Sequence, residues 1–176
     1  MMKFHAFLLC VAFLVQVPAQ AAESDVRQSA PEKSEAIPSW ANTAQEVLIN
    51  ALSLTGIKYR YGGKSPETGF DCSGFVRYVF QQATSMTLPH GAKAISQLGQ
   101  PVNKEQLQPG DLVFFNTLRT TFSHVGIYVG NHKFIHAPSS GGSVQIVDMS
   151  DTYWAKRFNG ARRMETQLHA DSSDSH

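Results

Sequence analysis

The hydrophobic period of this chain changes once, at Gln108-Pro109-Gly110. Ahead of that turn the apolar residues recur at helical spacing; behind it they gather in short runs of strand length, separated by turn residues. Helices first and strands after them predict an α+β domain, with N-terminal helices packed on an antiparallel β-sheet. Asn42 is placed to cap a first helix through Leu54, since Val47, Leu48, Ala51, Leu52 and Leu54 fall near a 3.6-residue period and Gly56 follows as a stop. Asp71 caps a second helix that begins at Cys72 and turns Phe75, Val76, Val79 and Phe80 inward. A short third helix is predicted over Ala92 to Leu98. Strands are predicted at Asp111 to Phe115, His124 to Val129, Lys133 to Ala137, Val144 to Val147 and Gly160 to Met164.

The 176 residues suit one core rather than two. Residues 1–21 read as a secretory signal: Lys3 and His5, an apolar run from Ala6 to Val15, then Ala19-Gln20-Ala21 as a small-x-small cleavage site. That run is about half of the roughly 20 residues a membrane-crossing helix needs. Cys10 lies inside it behind the bulky Leu9, so no lipoprotein anchor is expected. Residues 22–41, polar and holding Pro31 and Pro38, read as a disordered linker. The folded domain is expected over 42–165, with a frayed tail at 166–176. An exported chain, periplasmic or secreted, follows. It is not expected to be an integral membrane protein, and a monomer is the default. With 15 basic against 14 acidic residues and no basic stripe, nucleic acid is excluded as a partner.

Cleavage after Ala21 leaves Cys72 as the single cysteine, so no internal disulfide can form. A lone thiol in an oxidising compartment calls for a use. At the first turn of a helix it meets unpaired backbone N–H groups and the positive end of the macrodipole, which favour thiolate. Asp71-Cys72-Ser73-Gly74 also suits a plain capped helix start, and at this point both readings stand.

A thiol nucleophile needs a base. Of seven histidines, His5 falls in the signal, His169 and His176 in the tail, His132 at a hairpin tip and His90 in a loop. His124 and His136 differ, being embedded in apolar strand runs. A hairpin with its loop at Gly130 to His132 pairs 129 with 133 and sets 126 opposite 136, so His124 and His136 share one face as diagonal neighbours. One imidazole can then take the thiol proton while the other orients it. Two core histidines bonded to carbonyls is the plainer alternative. A metal site is disfavoured, because the usual ligand spacings are missing.

Several segments, in order, carry a family resemblance over about Ala44 to Met164: Tyr59-Arg60-Tyr61-Gly62-Gly63, Phe70-Asp71-Cys72-Ser73-Gly74-Phe75, and Leu107-Gln108-Pro109-Gly110-Asp111. They continue with Ser123-His124-Val125-Gly126-Ile127-Tyr128, Phe134-Ile135-His136-Ala137 and Gly160-Ala161-Arg162-Arg163. The chain resembles the NlpC/P60 family of peptidoglycan hydrolases. The resemblance implies a papain-like α+β catalytic domain in which Cys72 attacks, His124 is base and acid, and His136 orients His124. It further implies that Tyr59 serves the oxyanion or substrate, and that Asp71 and Ser73 contact the wall peptide. His90 stands where relatives often carry arginine, which leaves its role open. The partner implied is peptidoglycan, and no cofactor or metal is required. The expected reaction is endopeptidase cleavage of murein stem peptides or cross-links. The match through Tyr153-Trp154-Ala155-Lys156-Arg157 leans towards the D-alanyl to diaminopimelate cross-link, with the γ-D-glutamyl to diamino acid bond as the alternative. A non-catalytic wall-binding module is a rival that the intact Cys-His-His set disfavours. A permuted acyltransferase or amidase would place histidine before cysteine, the reverse of the order here.

Overall fold

The computed structural model of the chain describes residues 39–117 and 120–164. The expected signal segment (1–21), nearly all of the expected linker and the expected tail lie outside the described residues.

Helix α1 spans Ser39–Ser53, and α2 spans Cys72–Thr84. Two short strands, β1 (Lys64–Ser65) and β2 (Gly69–Phe70), form a small hairpin before α2. After it come α3 (Ala92–Ile95), β3 (Gln100–Val102) and a 3-10 turn at Lys104–Gln106. Strands β4 (Leu112–Phe115), β5 (His124–Gly130), β6 (Lys133–His136) and β7 (Gln145–Asp148) follow, then α4 (Thr152–Ala155) and β8 (Phe158–Arg163). The main sheet is six-stranded and antiparallel, in the order β3-β8-β4-β5-β6-β7. Among the described residues no helix is long and apolar enough to cross a membrane.

The buried stripe of α1 includes Trp40 and Ala44 ahead of Val47 and Ala51. The helix therefore starts at Ser39, three residues before the expected cap, and takes in the end of the expected linker. Helix α3 stops at Ile95 rather than Leu98, because Leu98 N–H turns back to the Ile95 carbonyl and Gly99 takes a φ of +71°. Strand β3 escapes a reading of the sequence because it is short and carries Pro101. Its place at the sheet edge explains why that proline is tolerated.

The central strand β4 is buried at all four positions, Leu112, Val113, Phe114 and Phe115. Leu112 and Phe114 meet Val125, Ile127, Ile135 and the inner faces of α1 and α2 in one apolar cluster. Val113 and Phe115 meet Tyr128, Phe134, Met149 and Ala161 in a second, with Trp154 and Phe158 packed on it. Asp111, wholly buried, holds the head of β4 to the tail of β8. Arg163 donates to both of its carboxylate oxygens at 2.8 Å, and the Gln108 N–H adds a third bond at 2.8 Å.

The β5–β6 hairpin pairs Ile127 with Ile135 and Tyr128 with Phe134, the register expected from sequence. Its turn is tighter than expected. Gly130 pairs with Lys133, the register shifts by one between Tyr128 and Gly130, and only Asn131 and His132 remain in the turn, at φ of +49° and +59°. Two successive left-handed residues match the right-handed strand twist, and asparagine tolerates that region well.

Candidate active site

Three elements meet where β5 begins. Asp71 caps α2 through its side chain, accepting from Gly74 N–H at 2.7 Å and from the Ser73 hydroxyl at 3.0 Å. Its other oxygen accepts from Gly62 N–H at 3.1 Å, and its own N–H donates to the Gly63 carbonyl at 3.0 Å. The double glycine serves a close approach. A methyl group at Gly74 would run into the Gly63 carbonyl oxygen, and one at Gly63 into that of Gly69. Of Asp71 and Ser73, expected at the wall peptide, Ser73 is buried and Asp71 is half-buried, with its carboxylate bonded to the helix head and the Gly62 turn.

Cys72 is the first residue of α2 and a free, half-buried thiol. The nearby backbone groups of Val125, Ser73 and Cys72 itself favour its thiolate. Burial, followed by the Asp71 charge, opposes them and pushes the thiol up to about 11. The Val125 contact brings the sulfur to the residue after His124. Tyr59 lies on the same side: the backbone on either side of it is laced to Phe70, the residue before Asp71. Burial first, then the nearby Cys72 and Asp71, push its hydroxyl up, so it stays a proton donor at neutral pH.

His124 opens β5 and His136 closes β6, each 1% exposed. His124 Nε2 and His136 Nδ1 lie 2.8 Å apart, with the rings edge to face at 84°. Gly126 makes room for this pair, since a Cβ there would sit 2.6 Å from the Phe134 ring, 2.8 Å from the Ile135 carbonyl oxygen and 3.2 Å from His136 Cβ. Burial holds His124 down at about 4, and burial together with His124 holds His136 at about 3. Both imidazoles are neutral at pH 7. Two buried ring nitrogens have no hydrogen-bond partner, His124 Nδ1 and His136 Nε2. When His124 Nε2 carries the proton shared by the pair, Nδ1 is left to accept another.

Trp154 of α4, unremarked as a site residue from sequence, covers the pair. Its ring centroid lies 5.6 Å from His124 and 5.0 Å from His136, and it also packs on Phe115 and Phe134. The segment before β8 has no periodicity that would aim it there. Of the other histidines, His132 sits exposed in the hairpin turn, and His90, also exposed, holds Arg77 at 3.1 Å through Nδ1. Among the described residues no three His, Cys, Asp or Glu side chains are grouped to hold a metal ion.

Comparison with known proteins agrees with this architecture. The NlpC/P60 family profile matches residues 56–163. Murein DD-endopeptidase MepH of Escherichia coli (strain K12) is 44% identical over 127 residues, 70% of this chain and 47% of the relative. Gamma-DL-glutamyl hydrolase of Bacillus subtilis (strain 168) is 42% identical over 120 residues, 68% of this chain and 29% of the relative. The chain therefore spans less than half the length of either. A crystal structure of an NLP/P60-family protein from Staphylococcus aureus subsp. aureus Mu50, described as similar to lipoprotein, superposes with a TM-score of 0.63 at 36% identity, over 69% of this chain and 41% of that one. With the match running from just past α1 to the last residue of β8, the chain belongs to the NlpC/P60 family.

Proposed function

We propose that the chain is a cysteine endopeptidase cutting peptide bonds in the stem peptides or cross-links of peptidoglycan. The observation that carries this reading is the bonded, buried histidine pair, in which the unpartnered His124 Nδ1 belongs to the residue beside the Cys72 sulfur's contact at Val125. Cys72 is the nucleophile, His124 the base and His136 the residue that orients it.

Burial favours the neutral thiol and the neutral imidazole, so the resting pair is uncharged. As sulfur attacks the scissile carbonyl, His124 Nδ1 takes the thiol proton. Its Nε2–H, donated to His136 Nδ1, fixes the tautomer throughout. The oxyanion that develops meets N–H groups at the head of α2 and the Tyr59 hydroxyl. Collapse breaks the C–N bond, the departing amine takes the proton from His124, and a thioester to Cys72 remains. Water, deprotonated by His124, then releases the acid and restores the thiol. Asp71 and Ser73 act by holding the helix head and the Gly62 turn.

The domain acts outside the cytoplasm, in the periplasm or as a secreted protein, with residues 1–21 as the export signal and 42–165 as the catalytic domain. The D-alanyl to diaminopimelate cross-link is the first bond to test, following the name of the Escherichia coli relative. The γ-D-glutamyl bond is the second reading, because the Bacillus subtilis relative is nearly as similar. Purified chain should release fragments from murein whose masses identify the bond. Cys72→Ala should lower the rate about a thousandfold or more with the fold intact; cleavage that persists in this variant rejects the nucleophile.

A further inference from the structure

The strands fix where the two imidazoles are attached, and not how their rings are turned. Register between β5 and β6 sets the Cβ positions of His124 and His136, whereas the outer side-chain torsion of histidine is broad and two-fold, so packing must choose the ring planes. Those planes matter, because an edge-to-face pair at 84° with its nitrogens 2.8 Å apart tolerates little rotation. Among the described residues, Phe115 meets the His124 ring at 6.5 Å and Phe134 meets the His136 ring at 5.0 Å. Trp154 meets both, tilted 30° to His124 and at 82° to His136. It is half-buried while the imidazoles are each 1% exposed, so the indole stands between the pair and solvent.

The indole is itself held. Its ring packs edge-on against Phe115 at 4.9 Å and Phe134 at 5.0 Å. Arg157 N–H donates to the Trp154 carbonyl at 3.0 Å, and Asn116 N–H donates to the Arg157 carbonyl at 2.9 Å, which pins the end of α4 to the residue after β4. The Arg157 guanidinium lies 3.8 Å over the Tyr153 ring and bonds the Tyr153 carbonyl at 3.0 Å. Other titratable groups on the surrounding elements are Cys72 and Asp71 at the α2 head, Tyr59 beside them, and Asp151 and Lys156, both exposed, at the two ends of α4. Burial alone lowers His124, and burial ahead of His124 lowers His136, so the cover over the rings outweighs these charges.

We propose that Trp154 is a positioning residue for Cys72, His124 and His136: its indole sets the planes of both imidazoles and shuts water away from them. The proposal rests on the pairing of Cys72 with His124 in the reading above. Its test follows alkylation of Cys72 by iodoacetamide against pH in the intact chain. The reagent takes the thiolate, which forms when His124 holds the thiol proton, so the rate falls in acid as the pair binds a further proton. In the wild type that acid limb should lie well below the ordinary imidazole value of 6.5. Trp154→Ala should raise it by about one pH unit or more, because water then reaches the rings. Trp154→Phe, which keeps a flat apolar cover, should return most of that shift. Murein digestion at neutral pH should fall roughly a hundredfold in Trp154→Ala and less than about tenfold in Trp154→Phe. Trp154→Leu is read in place of the alanine variant should that chain not fold. An acid limb unchanged from wild type in a folded variant lacking the ring would overturn the proposal, however slow its digestion, and leave Trp154 as packing alone. Murein left whole by the wild type would overturn the endopeptidase reading, while the alkylation limbs still decide the role of Trp154.

Discussion

Each histidine of the pair keeps its proton balance through what covers it. His124 and His136 are excluded from water by Trp154, Phe115 and Phe134, and that desolvation penalises the imidazolium form. The consequence for stability has a definite sign. Their ordinary value of 6.5 falls to about 4 and about 3 in the fold, so between these limits the unfolded chain binds more protons than the native one. The pair's contribution to stability is therefore full above pH 6.5 and is lost as pH falls from there towards about 3. Urea unfolding at pH 7 and pH 4.5 should show this loss, and His136→Gln, which removes one of the two titrating groups, should lose less between the same pH values. Parallel losses in the two proteins would refute burial of His136 as a cause. Cys72, His124 and His136 were legible in the sequence because each lies at the end of an element whose period is local. Trp154 was not, since only the β7–β8 connection, which has no period, carries it to the rings.

Among the elements, the β5–β6 hairpin does most to position the site. Its register follows from alternation along two apolar runs, which is why the shared face of the histidines could be read before any coordinates. The shift near Gly130 could not, because it depends on the left-handed pair Asn131 and His132 rather than on hydrophobic pattern. At Gly126 the same hairpin is held close by a missing side chain. Gly126→Ala should push Phe134 and His136 away, costing about 2 kcal/mol of stability and roughly a hundredfold in cleavage rate through misplacement of the base. Chemical denaturation and a murein digestion assay read the two effects separately; wild-type values in both would show that the strands accommodate a methyl group there.

For the whole molecule, the question is what closes a sheet whose first strand, β3, is at its edge and whose last, β8, is inserted between that edge and β4. Asp111 and Arg163 join the head of β4 to the tail of β8, 52 residues apart in sequence, through a bidentate pair with the carboxylate fully buried. Asp111 and Arg163, read from sequence as strand residues and as part of a family pattern, are joined across the sheet and so belong to its architecture. Asp111→Ala should destabilise the domain by roughly 3 kcal/mol, because it leaves Arg163 without its carboxylate. Urea midpoints for Asp111→Ala, Arg163→Met and the double variant should show losses that do not add; additive losses would mean that the two residues act independently.

The carboxylate of Asp71 grips the helix head with one oxygen and the Gly62 turn with the other. The Gly62 turn and the proposed nucleophile at the first position of α2 are thus tied together through one side chain. On the endopeptidase reading, losing that carboxylate would therefore shift the turn and the thiol together rather than one at a time.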